Sequence, residues 1–124
     1  MTARILCIED EPGLQEDITL ELEDAGYAVD LAGDGAAGLA ALQARAYDLV
    51  LCDVQVPHLS GTEVLEAATA LPEGRARPPF LMLTAYSDPA LRARCDSLGS
   101  AGLLVKPVDY GQLLARIAAV LAAR

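Results

Sequence analysis

At four points of the 124-residue chain, a short apolar run ends in a side chain that can do chemistry. Carboxylates can hold Mg²⁺, and a carboxylate is an adequate nucleophile toward phosphorus when a metal ion neutralises the incoming charge. A hydroxyl or an ammonium group can contact the remaining phosphoryl oxygens. These residue types together are typical of phosphoryl transfer. The four points are Glu9-Asp10-Glu11 after residues 5–8, Asp53 after 49–52, Thr84 after 80–83 and Lys106 after 103–105.

The elements that must position these side chains are predicted from the apolar pattern. The runs at 5–8, 49–52, 80–83 and 103–105 are apolar throughout, which is typical of strands buried on both faces of a parallel sheet. A fifth run, 27–31, alternates and is expected nearer an edge. Helical spacing recurs between the runs, and Gly or Pro residues separate the elements. Its apolar positions are Leu14, Ile18, Leu22 and Ala25; Val64, Leu65, Ala68 and Leu71; and Leu113, Leu114, Ile117, Val120 and Leu121.

This alternation predicts the α/β class: a doubly wound (βα)₅ domain in which residues 1–124 form a single unit around a five-stranded parallel sheet. Ligands of such sheets bind at the carboxyl ends of the strands, where all four chemical points fall. An alternative to a metal site is that the acids at 9–11 are solvated residues at the start of a helix and that Asp53 caps a helix or a turn. Three acids at the end of a buried strand are costly without a cation, so the metal interpretation is favoured.

Composition excludes several functional classes. The net charge is −9, with −13 in residues 1–74 and +4 in residues 75–124. Phosphate backbones repel so acidic a chain, so direct nucleic-acid binding is not expected, and the basic second half is a possible docking surface for an acidic partner. The first apolar run is too short for a signal peptide or a membrane span, so we expect a cytoplasmic protein. Three scattered cysteines, Cys7, Cys52 and Cys95, are expected to be reduced and structural.

The four points, in this order, resemble the response-regulator receiver domains of two-component signalling, over nearly the whole chain from Arg4 to about Leu121. The stretches that carry the resemblance are Ile5-Leu6-Cys7-Ile8-Glu9-Asp10-Glu11-Pro12, Asp48-Leu49-Val50-Leu51-Cys52-Asp53 with Pro57 and Gly61, Leu83-Thr84-Ala85, and Leu104-Val105-Lys106-Pro107.

The resemblance implies a flavodoxin-like strand order 2-1-3-4-5, a cis Lys106-Pro107 bond and a role for each site residue. Asp53 is the phosphoacceptor, and Mg²⁺, with Mn²⁺ as the alternative ion, is bound by Glu9, Asp10, Asp53 and the backbone carbonyl of Gln55. Thr84 is the switch hydroxyl. Lys106 contacts the phosphoryl group, and it is also the only lysine among nine basic residues.

The implied function is signalling, not turnover of an external substrate. The phosphoryl group would come from a sensor histidine kinase, a phosphotransfer protein or a small phosphodonor, and the domain would catalyse only its own phosphorylation and dephosphorylation. The switched surface would act on a downstream protein or output domain. His58 is expected to be a solvated turn residue and not a phosphorelay histidine.

Two alternative functions are suggested by short motifs. Asp53-Val54-Gln55-Val56 approaches the signature of aspartyl-phosphate phosphatases, but Gln55 cannot supply the acid that protonates the leaving group there. The segment 33–38 fits the dinucleotide fingerprint GxGxxG. It follows the edge strand, away from the crevice, and Asp34 as a helix cap explains it better.

The sequence departs from the family in its switch. Receivers commonly carry an aromatic residue three positions before the lysine, where this chain has Leu103. We therefore expect Tyr86, two residues after Thr84, to supply part of the aromatic response. Tyr86 and Gln55 are also expected to flank the route by which water attacks the acyl phosphate. Leu103, Tyr86 and Pro107 are thus the candidate conformational residues.

The dimer contact of a receiver subgroup is also altered. Members joined to winged-helix DNA-binding domains often dimerise through their fourth and fifth helices, using an acidic pair before the fifth strand. Ala101-Gly102 occupies that place, which leaves Arg92, Arg94 and Arg116 without those acids.

We accordingly predict a monomer or weak dimer. Sedimentation of the phosphorylated protein should show no tight symmetric dimer through this face, because the salt bridges of the subgroup cannot form. A tight dimer through the fourth and fifth helices would contradict the prediction.

Overall fold

A computed structural model describes residues 2–86 and 88–123. Over these ranges strands and helices alternate as predicted. A single 3₁₀ turn, Pro72–Gly74, precedes the fourth strand. The elements are β1 Arg4–Ile8, α1 Pro12–Asp24, β2 Ala28–Ala32, α2 Gly35–Ala44, β3 Leu49–Asp53, α3 Gly61–Ala67, β4 Phe80–Thr84, α4 Pro89–Ser97, β5 Gly102–Val105 and α5 Tyr110–Ala122.

The five strands form one parallel sheet in the order β2-β1-β3-β4-β5, which confirms the predicted fold class and topology. The register places Ile8 beside Cys52, so the residues that follow β1 lie next to the end of β3. Asp53 in turn pairs with Leu83, one residue before Thr84. The parallel register therefore brings the chemical residues of β1, β3 and β4 to one edge of the sheet.

Helices cover the sheet on both faces because each strand residue points to the side opposite its neighbour. On one face, α1 and α5 pack through Ile18, Leu22, Leu113 and Ile117. On the other, α2, α3 and α4 enclose a second core around Phe80. The central strand β3 is buried along its whole length, as its unbroken apolar run predicts.

Two boundaries and the burial of one strand differ from the prediction. The amide of Tyr27 donates to Leu22, so Tyr27 belongs to the turn that ends α1 and β2 begins one residue later. Helix α3 ends at Ala67, and Leu71 lies beyond it although it is buried. Strand β5 lies at an edge, and its Val105 is 38% exposed in spite of the apolar run.

The sequence predicts that Arg92, Arg94 and Arg116 of α4 and α5 lack acidic partners, and the structure differs from this at Arg94. The Arg94 guanidinium lies 3.9 Å from the Glu66 carboxylate of α3. Both side chains are exposed, so this ion pair stabilises the fold little. The Arg116 guanidinium packs over Gly102, where a side chain would collide with it. These two arginines therefore make contacts within the chain.

The described residues contain no helix that is both long and apolar enough to cross a membrane. Cys7, Cys52 and Cys95 are free and buried, as predicted. Burial raises the pKa of the Cys7 thiol to about 12 and raises that of Cys52 as well, so neither is a ready thiolate.

Candidate functional site

Three carboxylates meet at the carboxyl ends of β1 and β3. Glu9 and Asp10 follow β1, and Asp53 is the last residue of β3. One ligand oxygen from each lies within 4.8 Å of the others. This spacing suits a single divalent cation bound by hard oxygen ligands, so the residues present fit Mg²⁺ or Mn²⁺.

The cluster is graded from buried to exposed. Glu9 is 1% exposed and Asp53 is 5% exposed, whereas Asp10 faces solvent. Burial raises the pKa of the Glu9 carboxyl, and the charge of Asp53 raises it further. Hydrogen bonds from Lys106 and from the Glu11 backbone oppose that rise. The ionised form of Glu9 is therefore incompletely compensated within the chain, and a bound cation would stabilise it.

Lys106 bridges the two buried carboxylates. Its Nζ donates to Asp53 Oδ2 at 2.5 Å and to Glu9 Oε1 at 2.9 Å. Burial alone would lower the pKa of this ammonium group, but the hydrogen bonds to Asp53 and Glu9 and the negative charges of these two carboxylates together outweigh burial and raise it. Lys106 is therefore charged and already directed at the Asp53 carboxylate.

Glu11 lies outside the cluster although it adjoins Asp10 in sequence. Its side chain caps α1 by accepting from the amides of Gly13 at 2.9 Å and Leu14 at 2.6 Å. A carboxylate suits this position because the first amides of a helix have no partner within the helix. The three consecutive acids thus divide into two candidate metal ligands and one helix cap.

The backbone around Asp53 is closely packed. Asp53 Oδ1 accepts from the amide of Gln55 at 3.0 Å, which orients the carboxylate. Gly61 N donates to the Val54 carbonyl at 2.8 Å, and a Cβ at position 61 would overlap the Asp53 carbonyl oxygen. Gln55 is exposed. Its backbone carbonyl as a further metal ligand stays a prediction.

Thr84 and Tyr86 are joined by a local contact. Thr84 is fully buried, and its Oγ1 accepts from the amide of Tyr86 at 3.1 Å. The side chain of Tyr86 is 59% exposed. The predicted switch hydroxyl is thus part of the turn that carries the predicted aromatic residue.

The remaining conformational candidates have different environments. Leu103 is 4% exposed and packs in the same core as Met82 and Cys95. The Lys106–Pro107 peptide bond is cis, as the resemblance implies, and Pro107 is exposed. His58 is exposed with φ = 71°, in keeping with a solvated turn residue.

Sequence reasoning missed two features of the site. The contact between Lys106 and Glu9 joins residues 97 positions apart, and no local pattern signals it. The Glu11 cap had a signal in Pro12, since proline favours the first helical position and marks the residue before it as the cap.

Comparison with known proteins gives consistent matches. The family model of the response regulator receiver domain matches residues 5–118. The transcriptional regulatory protein DltR of Streptococcus agalactiae is 40% identical over 114 residues, which is 92% of this chain and 50% of that protein. CusR of Escherichia coli K12 is 33% identical over 95% of this chain and 51% of its own length. The chain therefore spans about half the length of the curated relatives it matches.

Solved structures agree with the fold. The chemotaxis response regulator CheY4 of Vibrio cholerae superposes with a TM-score of 0.88 at 31% identity, over 97% of this chain and 99% of that one. A CheY-like receiver domain protein from Methanospirillum hungatei gives 0.90 at 29% identity, over 99% and 96%.

The site geometry predicts the behaviour of Asp10→Asn. The substitution removes one of three neighbouring negative charges, so the unfolding temperature in EDTA should equal or exceed that of the wild type. Mg²⁺ at a hundred times its Kd should add about 2.7 kcal/mol to the wild-type free energy of unfolding, and less than half of that to the variant. Thermal unfolding with and without Mg²⁺ measures both effects.

Glu11→Gln is the matched control, because it neutralises the next acid but leaves the cluster intact. It should keep the Mg²⁺ response of the wild type. An equal Mg²⁺ response in Asp10→Asn and the wild type would contradict the assignment of the cluster as the metal site.

Proposed function

Because this chain belongs to the family of response regulator receiver domains, we propose that it is switched by Mg²⁺-dependent phosphorylation of Asp53. One observation supports this most strongly: Lys106 Nζ lies 2.5 Å from Asp53 Oδ2, and Glu9 and Asp10 offer their oxygens beside the same carboxylate. A nucleophile, an acidic metal pocket and a fixed cation thus share one edge of the sheet.

Asp53 acts as the nucleophile. A carboxylate oxygen of Asp53 attacks phosphorus, and the bond from phosphorus to the donor nitrogen or oxygen breaks with its electron pair leaving on the donor. The Gln55 amide on Oδ1 and Lys106 on Oδ2 orient the carboxylate. Fixing the nucleophile in this way lowers the entropic cost of the encounter.

Glu9, Asp10 and Asp53, with the Gln55 carbonyl, would hold the Mg²⁺ ion. When bound, the ion neutralises the negative charge shared by the carboxylates and the incoming phosphoryl group. Lys106 stays within reach of the phosphoryl oxygens as a point charge, and the Thr84 hydroxyl donates to one of them after the turn rearranges.

The transfer of the switch to the surface involves Thr84 and Tyr86. The Thr84 hydroxyl already accepts a hydrogen bond from the Tyr86 amide. When this hydroxyl binds the phosphoryl group, the turn that carries Tyr86 moves with it. Because Leu103 occupies the usual place of the aromatic residue, the exposed Tyr86 carries the aromatic part of the response. A shift between two states of this kind needs only a few kcal/mol.

Partners follow from the family. The phosphoryl group comes from a sensor histidine kinase, a phosphotransfer protein or a small phosphodonor. The output is a downstream protein or a further domain, in line with relatives that are named transcriptional regulators and are about twice as long. Turnover of external phosphate esters is not part of the function, because Gln55 cannot donate a proton to a leaving group.

Incubation with Mg²⁺ and acetyl phosphate should add a single phosphoryl group. Intact-mass spectrometry is expected to show this adduct in the wild type, and to show at least a tenfold smaller yield in Asp53→Asn. Equal labelling of Asp53→Asn would contradict the assignment. Steady hydrolysis of a generic phosphomonoester would instead indicate a phosphatase.

Tyr86→Ala should lose its phosphoryl group several-fold faster than the wild type, because the bulky side chain obstructs the route of attacking water. The decay of the intact-mass adduct after removal of acetyl phosphate gives both rates. A variant decay that is equal or slower would show that Tyr86 does not shield the acyl phosphate. Unchanged partner binding by phosphorylated Tyr86→Ala would separately refute its part in the switch.

A further inference from the structure

The glycine-rich segment 33–38 contacts the loop that follows the phosphoacceptor. Gly35 is the first residue of α2, and its amide donates to the Pro57 carbonyl at 3.1 Å. A Cβ at position 35 would overlap the carbonyl oxygen of Leu59 and would lie 2.7 Å from its carbonyl carbon. The contact is therefore backbone against backbone, and only glycine allows it.

The loop in question, residues 54–60, connects β3 to α3. Its two ends are joined by the hydrogen bond from Gly61 N to the Val54 carbonyl. Its tip folds back, with the Leu59 amide donating to Pro57 at 2.9 Å across His58. The first turn of α2 thus supports the middle of a loop whose ends are already fixed beside Asp53.

The same loop reaches the Asp53 side chain, because the Gln55 amide donates to Asp53 Oδ1 at 3.0 Å. Displacement of the loop would move this donor and the neighbouring Gln55 carbonyl. Mg²⁺ demands near-ideal octahedral geometry, so a small displacement of a ligand weakens its binding.

We infer that Gly35 is a positioning residue for the phosphorylation site: it fixes the 54–60 loop, and through Gln55 the Asp53 carboxylate and the metal ligands. This inference rests on the proposed function. The segment 33–38, which fits the dinucleotide fingerprint, then has two structural roles. Gly35 positions the loop, and Asp34 caps α2 by accepting from the amide of Ala37 at 2.7 Å.

The loop, not α2, is the part that must yield to a larger residue at position 35. Helix α2 is anchored by buried Leu42, and Gly38 lies so close to Ile8 that a Cβ there would overlap that side chain. Rotation of a side chain cannot relieve the overlap at Gly35, because the atoms met are the carbonyl group and the Cβ of Leu59, which no side-chain rotation moves. Ordinary contacts are roughly 3.5 Å, so residues 57–59 must shift.

Gly35→Ala tests the inference, with Gly33→Ala as its matched control. Gly33→Ala makes the same change two residues earlier in the segment 33–38, but a Cβ at position 33 would meet only the Gln15 side chain, at 3.9 Å. Mn²⁺ affinity of the folded proteins is measured by electron paramagnetic resonance, together with unfolding temperatures in EDTA. Gly35→Ala should bind Mn²⁺ about tenfold more weakly, and Gly33→Ala should stay within twofold of the wild type.

A purely structural role would lower the unfolding temperature of Gly35→Ala but leave the Mn²⁺ affinity of the folded protein unchanged, and that result would overturn the inference. Failure of the wild type itself to bind Mn²⁺ or to accept phosphate from acetyl phosphate would instead refute the proposed function. The two failures are therefore distinguishable.

A measurement on the wild type decides the matter if Gly35→Ala does not fold. Coupling between two sites is reciprocal, so a contact that favours metal binding must itself be strengthened by the metal. Saturating Mg²⁺ should slow hydrogen exchange of the Gly35 and Leu59 amides several-fold, with no change at the Arg45 amide at the far end of α2. Unchanged exchange at Gly35 with Mg²⁺ bound would overturn the inference.

Discussion

Repulsion among three carboxylates at one edge of the sheet is the constraint around which the site is built. Oxygens of Glu9, Asp10 and Asp53 lie within 4.8 Å of one another, two of them on side chains largely removed from water. Such a group is unfavourable unless positive charge lies among them. Lys106 supplies one charge directly against the two buried members, and a divalent cation would compensate the rest. The same arrangement is suited to receive a phosphoryl group.

The fold holds these groups together through backbone register and close packing. Pairing of Ile8 with Cys52 sets Glu9 beside Asp53, and the parallel course of β4 and β5 brings Thr84 and Lys106 to the same edge. Helices on both faces bury the strands, so the edge cannot spread to relieve its charge. At Gly35 and Gly61 the backbones approach so closely that the loop after Asp53 has little room to move.

Most of the architecture could be predicted from sequence because it depends on local patterns. Unbroken apolar runs marked the buried strands β1, β3 and β4, and the alternating run marked β2 as an edge strand. The residues that end the runs are the members of the candidate site. Features that depend on contacts between distant residues could not be predicted. Three such contacts form only when the strands and helices have packed together. They are the Lys106–Glu9 ion pair, the Arg94–Glu66 contact and the close approach of Gly35 to the Leu59 backbone.

Local rules also misplaced three helical residues. Ala25 is only the C-cap of α1, and Ala68 is only the C-cap of α3. Leu71 packs in the core from outside α3. In each case a turn closes the helix first. Leu71 is buried without helical backbone, whereas Ala25 is exposed. Periodicity thus identified the burial of Leu71 although it assigned the wrong conformation, and at Ala25 neither a buried position nor helical backbone is found.

The location of a bound cation tests the central claim most directly. Crystals grown with Mn²⁺ and measured for anomalous scattering should show one strong peak within coordination distance of carboxylate oxygens of Glu9, Asp10 and Asp53. The Gln55 carbonyl should be a further ligand. A well-ordered crystal at saturating Mn²⁺ with no peak among these carboxylates, or with its peak elsewhere, would contradict the account.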